Sequence, residues 1–186
     1  MIFKKKFKPR IKARIRKNKQ ILNKNIDTFF DWVKGAELVE LKECNVEEDP
    51  VRPELDLIFR RSYGRKIYGV KYMGEIHAVM CFAYTNEIPK SVEELEKLST
   101  DAFLQTAMRD QAGGQIAIAY TVWSKKKGGG KLIVKEVFKK IKKSNHLNRL
   151  VTLSPLTEIA TNFHERNGAK LIQINETTQN FEYKVM

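Results

Sequence analysis

The residues whose types and spacing could do chemistry lie in the second half of the chain. Lys125, Lys126, Lys127, Gly128, Gly129, Gly130 and Lys131 follow an apolar run and lead into the helical pattern KLIVKEVFKKIKK. A strand, a glycine loop and a helix N-terminus together form a device for holding a diphosphate. The glycines let backbone N–H groups approach the ligand, and the helix end supplies partial positive charge. The four lysines add direct charge. The plainer alternative is a flexible turn beside a solvated lysine face. The loop is neither a Walker A motif, which needs Gly-Lys-Ser/Thr, nor a GxGxxG turn. Further on, Ser154 ends the run RLVTLS ahead of Pro155, and His164 sits within TEIATNFHERNG. Taken singly, such a serine often only organises a turn, and such a histidine is often a half-buried core or capping residue. His77 and His146 have no spaced partner for a metal or a nucleophile, so no metal is expected. Glu75, Glu87 and Glu158 are each chemically able to act as a general base, and spacing selects none of them. Cys81, in an apolar run, is expected to be buried and inert.

These residues need elements to position them. Phe29, Phe30, Trp32, Val33 and Ala36 fall within one helical stretch that Asp27 or Thr28 can cap. A short amphipathic helix is expected after Pro53. RKIYGVKYM and EIHAVMCFAYT read as two strands joined by a tight turn at Met73-Gly74-Glu75. IPKSVEELEKLS reads as a helix with Ser91 as its cap and Glu94 completing a capping box. Gln115 to Trp123 forms a third strand and Arg149 to Leu153 a fourth. TEIATNFHERNG is a helix stopped by Gly168, and AKLIQIN with NFEYKVM closes as a strand pair. That order predicts an α/β fold, a mixed sheet flanked by helices.

Length and composition set the frame. The 186 residues, 42% apolar and 31% charged, suit one ordinary domain plus a tail, and no apolar run approaches the roughly 20 residues of a membrane span. We expect a basic tail over 1–24 and a single domain over 25–186. With two cysteines, Cys44 and Cys81, in no metal or redox pattern, the expected setting is cytoplasmic. The net charge of +13 is local: residues 1–24 carry eleven Lys/Arg and no acid, which leaves 24 basic against 22 acidic residues elsewhere. Lys125 to Lys143 holds nine lysines against Glu136 alone. The basic tail has three readings: contact with nucleic acid or another polyanion, anchoring to an acidic partner, and solubility.

The stretch RLVTLSPLTEIATNFHERNGAKLIQIN resembles the C-terminal, GNAT-like domain of malonyl-CoA decarboxylase. TLSP matches that family's serine motif, FHERNGAKL its histidine motif FHxxNGAxL, and Asn175 falls at the family's IN. IHAVMCFAYTNEIPKSVEELEKL and AIAYTVWSKKKGGGKLIVKEV resemble the same domain upstream, so the likeness runs from Arg65 to about Val185. It implies a mostly antiparallel GNAT-type sheet, coenzyme A or acyl-CoA as ligand, and Ser154 and His164 as the catalytic pair, the serine holding the substrate carboxylate and the histidine moving a proton. The glycine loop is similar to the GNAT pattern Q/R-x-x-G-x-G/A, with Lys125 in the first position, which in that family holds the coenzyme A pyrophosphate. ATNFHERNGA is likewise similar to the GNAT pattern A-x-x-F-Y-E-x-x-G-F, with His164 at the tyrosine that protonates the departing thiolate. The chain departs from the decarboxylases after the serine, where it reads Pro155-Leu-Thr-Glu-Ile, and at the shortened stretch Glu176 to Gln179. The residues before Arg65 do not match that family's helical N-terminal domain. The functions this leaves open are decarboxylation of a malonyl-type thioester, acyl transfer to an amine, and a non-catalytic GNAT-fold protein attached to nucleic acid or an assembly through its basic tail.

Overall fold

The computed structural model describes residues 36–109 and 114–183, together with Lys17, Trp32, Lys34 and Gly35. Contacts divide the chain into two compact units, Met1–Ala36 and Glu37–Met186. In the first, Trp32, Lys34 and Gly35 are helical, in keeping with the helix read from the aromatic spacing, and Trp32 is buried. The basic stretch 1–24, apart from Lys17, and the boundary expected near residue 25 lie outside the described residues.

The second unit is built on strands β1 (Glu37–Leu41), β2 (Lys66–Tyr72), β3 (Glu75–Thr85), β4 (Ile116–Ser124), β5 (Arg149–Thr152), β6 (Ser154–Pro155), β7 (Ala169–Ile174) and β8 (Thr178–Tyr183). Its helices are α1 (Leu57–Arg61), α2 (Val92–Arg109), α3 (Gly129–Lys142) and α4 (Glu158–Arg166). The sheet runs β1-β2-β3-β4-β5-β8-β6, with β7 paired to β8. Among the described strands only the β4–β5 pair is parallel. This is the expected class, a mixed and mostly antiparallel sheet flanked by helices.

Local chemistry explains most of the elements. Met73 and Gly74 turn β2 into β3 with φ of 50° and 88°, the two positive values that a two-residue hairpin link requires. Ser91 accepts a hydrogen bond from the Glu94 N–H at 3.2 Å, and the Glu94 carboxylate accepts one from the Lys90 N–H at 2.6 Å, so the capping box forms one residue wide of its usual reciprocal partner. Thr157 caps α4 through the Ala160 N–H, and Gly168 ends it at φ 85°. On α3 the apolar side chains Leu132, Ile133, Val134, Val137 and Ile141 face the sheet and are buried. One strand is an addition: the helical reading of the segment before Cys44 does not contain Glu37–Leu41, which pairs antiparallel with β2 and puts ELVEL on the sheet edge.

Two irregularities shape the middle of the sheet. Cys81 pairs with Thr121 and Phe82 with Ala119, so Tyr120 is an extra residue that bulges from β4. The pairing of β4 with β5 stops at Ala119 and Thr152, and Leu153 adds one last bond by donating its N–H to the Ala119 carbonyl at 2.9 Å. Beyond that point Tyr120 to Ser124 has no β5 partner, and the two strands part. Under this split the core is continuous, with Ile67, Cys81, Leu95, Ile118, Val151 and Leu153 all buried in one cluster.

Candidate functional site

Where β4 and β5 separate, the structure holds a cavity of about 530 Å³. Its walls come from β4 (Ala119 to Ser124), from Thr152 at the end of β5 and Ser154 and Pro155 of β6, from Thr157, Ile159, Ala160, Phe163 and His164 on or beside α4, and from Gly130 of α3. Pro50 and Val51 complete it from the loop before α1, and Tyr183 from β8. Apolar groups dominate. Among the described residues that line it there is no Asp, Glu, Lys or Arg.

Ser154 and His164, ten residues apart in sequence, meet here: Ser154 Oγ lies 2.7 Å from His164 Nε2. Both side chains are buried. The other ring nitrogen, Nδ1, lies 2.8 Å from the Tyr183 hydroxyl, and Ser154 Oγ lies 3.0 Å from Thr152 Oγ1. Thr152 Oγ1 also accepts the Phe181 N–H at 3.1 Å. The imidazole stacks on Phe181 with centroids 5.0 Å apart and meets the edge of Phe163 at 5.1 Å. Burial without a nearby carboxylate favours the uncharged ring and pushes the His164 pKa down to about 4. At pH 7 this ring is therefore neutral, and any proton it passes on is an N–H proton. Burial also raises the Tyr183 phenol, which stays protonated.

The glycine loop joins β4 to the N-terminus of α3. Gly128 is left-handed at φ 85° and gives α3 no side-chain cap. A Cβ on Gly129 would come within 2.9 Å of Ser124 Cβ, and one on Gly130 within 2.9 Å of the Phe163 ring. Backbone thus sits where a side chain would not fit. The Gly129 N–H bonds the Lys126 carbonyl at 2.9 Å, whereas the N–H groups of Gly130 and Lys131 belong to the first turn, where no intrahelical acceptor exists. The lysines divide. Lys125 is ion-paired with Glu48 at 2.7 Å and Lys126 lies over the Tyr72 ring at 4.8 Å, while Lys127 and Lys131 are exposed. None of the four lines the cavity, which only Gly130 of the loop reaches.

The wall made by Pro50 and Val51 is pinned by a polar network that no motif announces. Asp49 and Arg60 form an ion pair at 2.8 Å with both side chains fully buried. Asp49 also accepts the Val51 and Arg52 N–H groups at 2.9 and 3.1 Å and the Thr121 hydroxyl at 2.8 Å. Arg60 donates in turn to the carbonyls of Leu55 and Arg52. The loop is tied in this way to β4 beside the bulge. Sequence reasoning also missed Tyr183 and Thr152. The only available signal was alternation: Tyr183 shares a face of β8 with Phe181, and Thr152 shares one with Ser154 across a two-residue step.

The remaining candidates fall elsewhere. Glu75, Glu87 and Glu158 are not among the cavity residues. His146 is exposed with Nδ1 3.2 Å from Ser144 Oγ, and His77 packs 6.2 Å from the Tyr72 ring. Among the described residues no group of three or more His, Cys, Asp or Glu could hold a metal ion, and no helix is long and apolar enough to cross a membrane. Cys81 is buried, as expected, and its thiol is raised by that burial.

No protein-family model matches the sequence, and a search of curated proteins gives no match. Solved structures supply the fold. The GNAT-like decarboxylase GphF in complex with isobutyryl-CoA aligns with 79% of this chain and 98% of its own at a TM-score of 0.61 and 11% identity. An acetyltransferase from Bacillus subtilis in complex with CoA aligns with 81% of this chain and 99% of its own at a TM-score of 0.54 and 13% identity. Malonyl-CoA decarboxylase from Cupriavidus metallidurans aligns over 75% of this chain at 20% identity and a TM-score of 0.49, and the chain spans 36% of that enzyme's length. The fold is that of the GNAT proteins.

Proposed function

We propose that this protein binds an acyl-coenzyme A and removes carbon dioxide from a malonyl-type thioester, with Ser154 and His164 at the thioester carbonyl. The observation that carries the reading is the buried Ser154–His164 contact of 2.7 Å in an apolar cavity that is also lined by Gly130 at the open N-terminus of α3. The coenzyme A diphosphate fits the N–H groups of Gly130 and Lys131, with Lys126, Lys127 and Lys131 as nearby positive charge and Lys125 already engaged by Glu48. The GNAT-fold neighbours with CoA or isobutyryl-CoA bound support that placement.

Decarboxylation suits what the cavity contains. The bond between the α-carbon and the carboxylate breaks, carbon dioxide leaves, and the electron pair moves onto the thioester carbonyl as an enolate. Apolar walls favour this step, because a carboxylate stripped of water is destabilised relative to the delocalised enolate. A hydroxyl donor of the cluster around Ser154 and His164 stabilises the enolate oxygen, and a proton passed along that cluster completes the acyl product. Transfer to an amine is the poorer fit. An amine arrives as an ammonium and needs a base, whereas the described lining residues include no carboxylate and His164 is held far below neutrality.

The test is calorimetric titration with coenzyme A, followed by incubation with malonyl-CoA and no acceptor. Binding and formation of acetyl-CoA, lost in His164→Ala, are expected. An absence of binding overturns the proposal, and binding without turnover in any acyl series favours a non-catalytic GNAT-fold protein. The chemistry and the two free cysteines suit a cytoplasmic setting. Polyanion contact through residues 1–24 rests on the charge split alone. Deleting those residues and measuring nucleic-acid affinity against salt decides it.

A further inference from the structure

We infer that the hydroxyl of Thr152 is the donor presented to the substrate oxygen, at the end of a hydrogen-bond chain whose direction Tyr183 sets. The inference rests on the thioester reading above, and it follows from counting protons along four side chains. The chain runs Tyr183 OH, His164 Nδ1 and Nε2, Ser154 Oγ and Thr152 Oγ1, with successive contacts of 2.8, 2.7 and 3.0 Å. A neutral imidazole carries one N–H, so one ring nitrogen donates and the other accepts. A phenol is the better donor and an imidazole nitrogen the better acceptor, so Tyr183 donates to Nδ1 and the ring proton lies on Nε2. Nε2–H then donates to Ser154 Oγ. Ser154 donates in its turn to Thr152 Oγ1, which also receives the Phe181 N–H at 3.1 Å.

Both lone pairs of Thr152 Oγ1 are therefore filled, and its own proton has no acceptor among the described residues. Thr152 lines the cavity. The acceptor that its geometry calls for is an oxygen of the ligand, and in the proposed reaction that is the developing enolate oxygen. The same direction excludes a nucleophilic role for Ser154. A serine activated for attack gives its proton to a histidine whose far nitrogen donates to a carboxylate, whereas here the far nitrogen receives a proton from a phenol. Ser154 relays, Tyr183 is a positioning residue, and Thr152 touches substrate.

Ring-nitrogen NMR of the full-length protein, with His164 assigned by its loss in His164→Gln, reads the direction without any turnover. The expected result is the proton on Nε2 in the wild type and a mixture of tautomers in Tyr183→Phe; a proton on Nδ1 in the wild type overturns the inference. With malonyl-CoA, Thr152→Val should lower kcat by about 100-fold, the usual cost of an oxyanion donor. KM and coenzyme A affinity should stay within about twofold on the same basis, since the donor acts on charge that develops after binding. Thr152→Ser should recover most of the rate, and urea unfolding of Thr152→Val checks that the fold is kept. An undiminished kcat in Thr152→Val also overturns the inference. A wild type that binds coenzyme A and turns over nothing removes the decarboxylation reading instead, and the ring-nitrogen spectrum still decides the chain's direction.

Discussion

Replacing His164 by Gln should change how stability depends on pH, because the ring is buried neutral. Its folded pKa of about 4 lies below the 6.5 of an unhindered histidine. As the pH falls through 6.5 the unfolded chain takes up a proton that the folded chain refuses, so the unfolded state gains. The contribution is present in full above 6.5 and is lost as pH falls toward 4, where the folded ring protonates too. The gap of about 2.5 between the two pKa values corresponds to roughly 3 kcal/mol in total, at about 1.4 kcal/mol each. Between pH 7.5 and 4.5, where part of the folded population is already protonated, about 2.5 kcal/mol of this should be lost. Glutamine does not titrate, so it supplies the reference: wild type and His164→Gln share every other carboxylate and histidine. Urea unfolding of both at the two pH values should show the wild-type midpoint falling relative to the variant by about 1 M, for a slope near 2 kcal/mol per M. Parallel pH dependence in the two proteins would refute the neutral buried imidazole, and with it the hydrogen-bond chain built on it.

Three further outcomes follow from the same geometry. Gly130→Ala places a methyl group 2.9 Å from the Phe163 ring, beside an N–H that the proposal assigns to the diphosphate; coenzyme A affinity measured by calorimetry should fall by about tenfold or more, close to 1.4 kcal/mol. Asp49→Ala leaves the fully buried Arg60 guanidinium without its carboxylate and frees the Pro50–Val51 wall, so chemical denaturation should show a loss of about 3–5 kcal/mol. Lys125→Ala removes an exposed pair with Glu48 and should alter stability by no more than about 0.5 kcal/mol, with a modest, salt-sensitive loss of coenzyme A affinity.

Much of this molecule is legible where the determinants are local. The Met73-Gly74 turn, the Ser91 cap, the stop at Gly168 and the glycine loop before α3 each depend on a few adjacent residues whose backbone preferences leave little choice. Ser154 and His164 were legible for a different reason, as parts of two short motifs ten residues apart. What could not be read is what depends on strands meeting. The parting of β4 from β5 follows from the Tyr120 bulge and from where the register ends, and neither leaves a mark in the composition. Tyr183 reaches His164 from the last strand, and Glu48 reaches Lys125 across 77 residues. The charge state of His164 could not be read for the same reason: its pKa is lowered by burial among Phe163, Phe181 and Tyr183, and these walls are assembled only by the fold. Glu37–Leu41 became a strand because β2 offered an edge to pair with, a tertiary cause that the helical pattern before it does not announce.

The measurement that bears most directly on the central claim is incubation of the protein with malonyl-CoA in deuterated water, with no amine present, followed by mass analysis of the acyl-CoA pool. Loss of carbon dioxide through an enolate predicts acetyl-CoA carrying one deuterium from solvent, formed by the wild type and not by His164→Ala. Malonyl-CoA recovered unchanged, alongside acetyl-CoA consumed only when an amine is added, would contradict it.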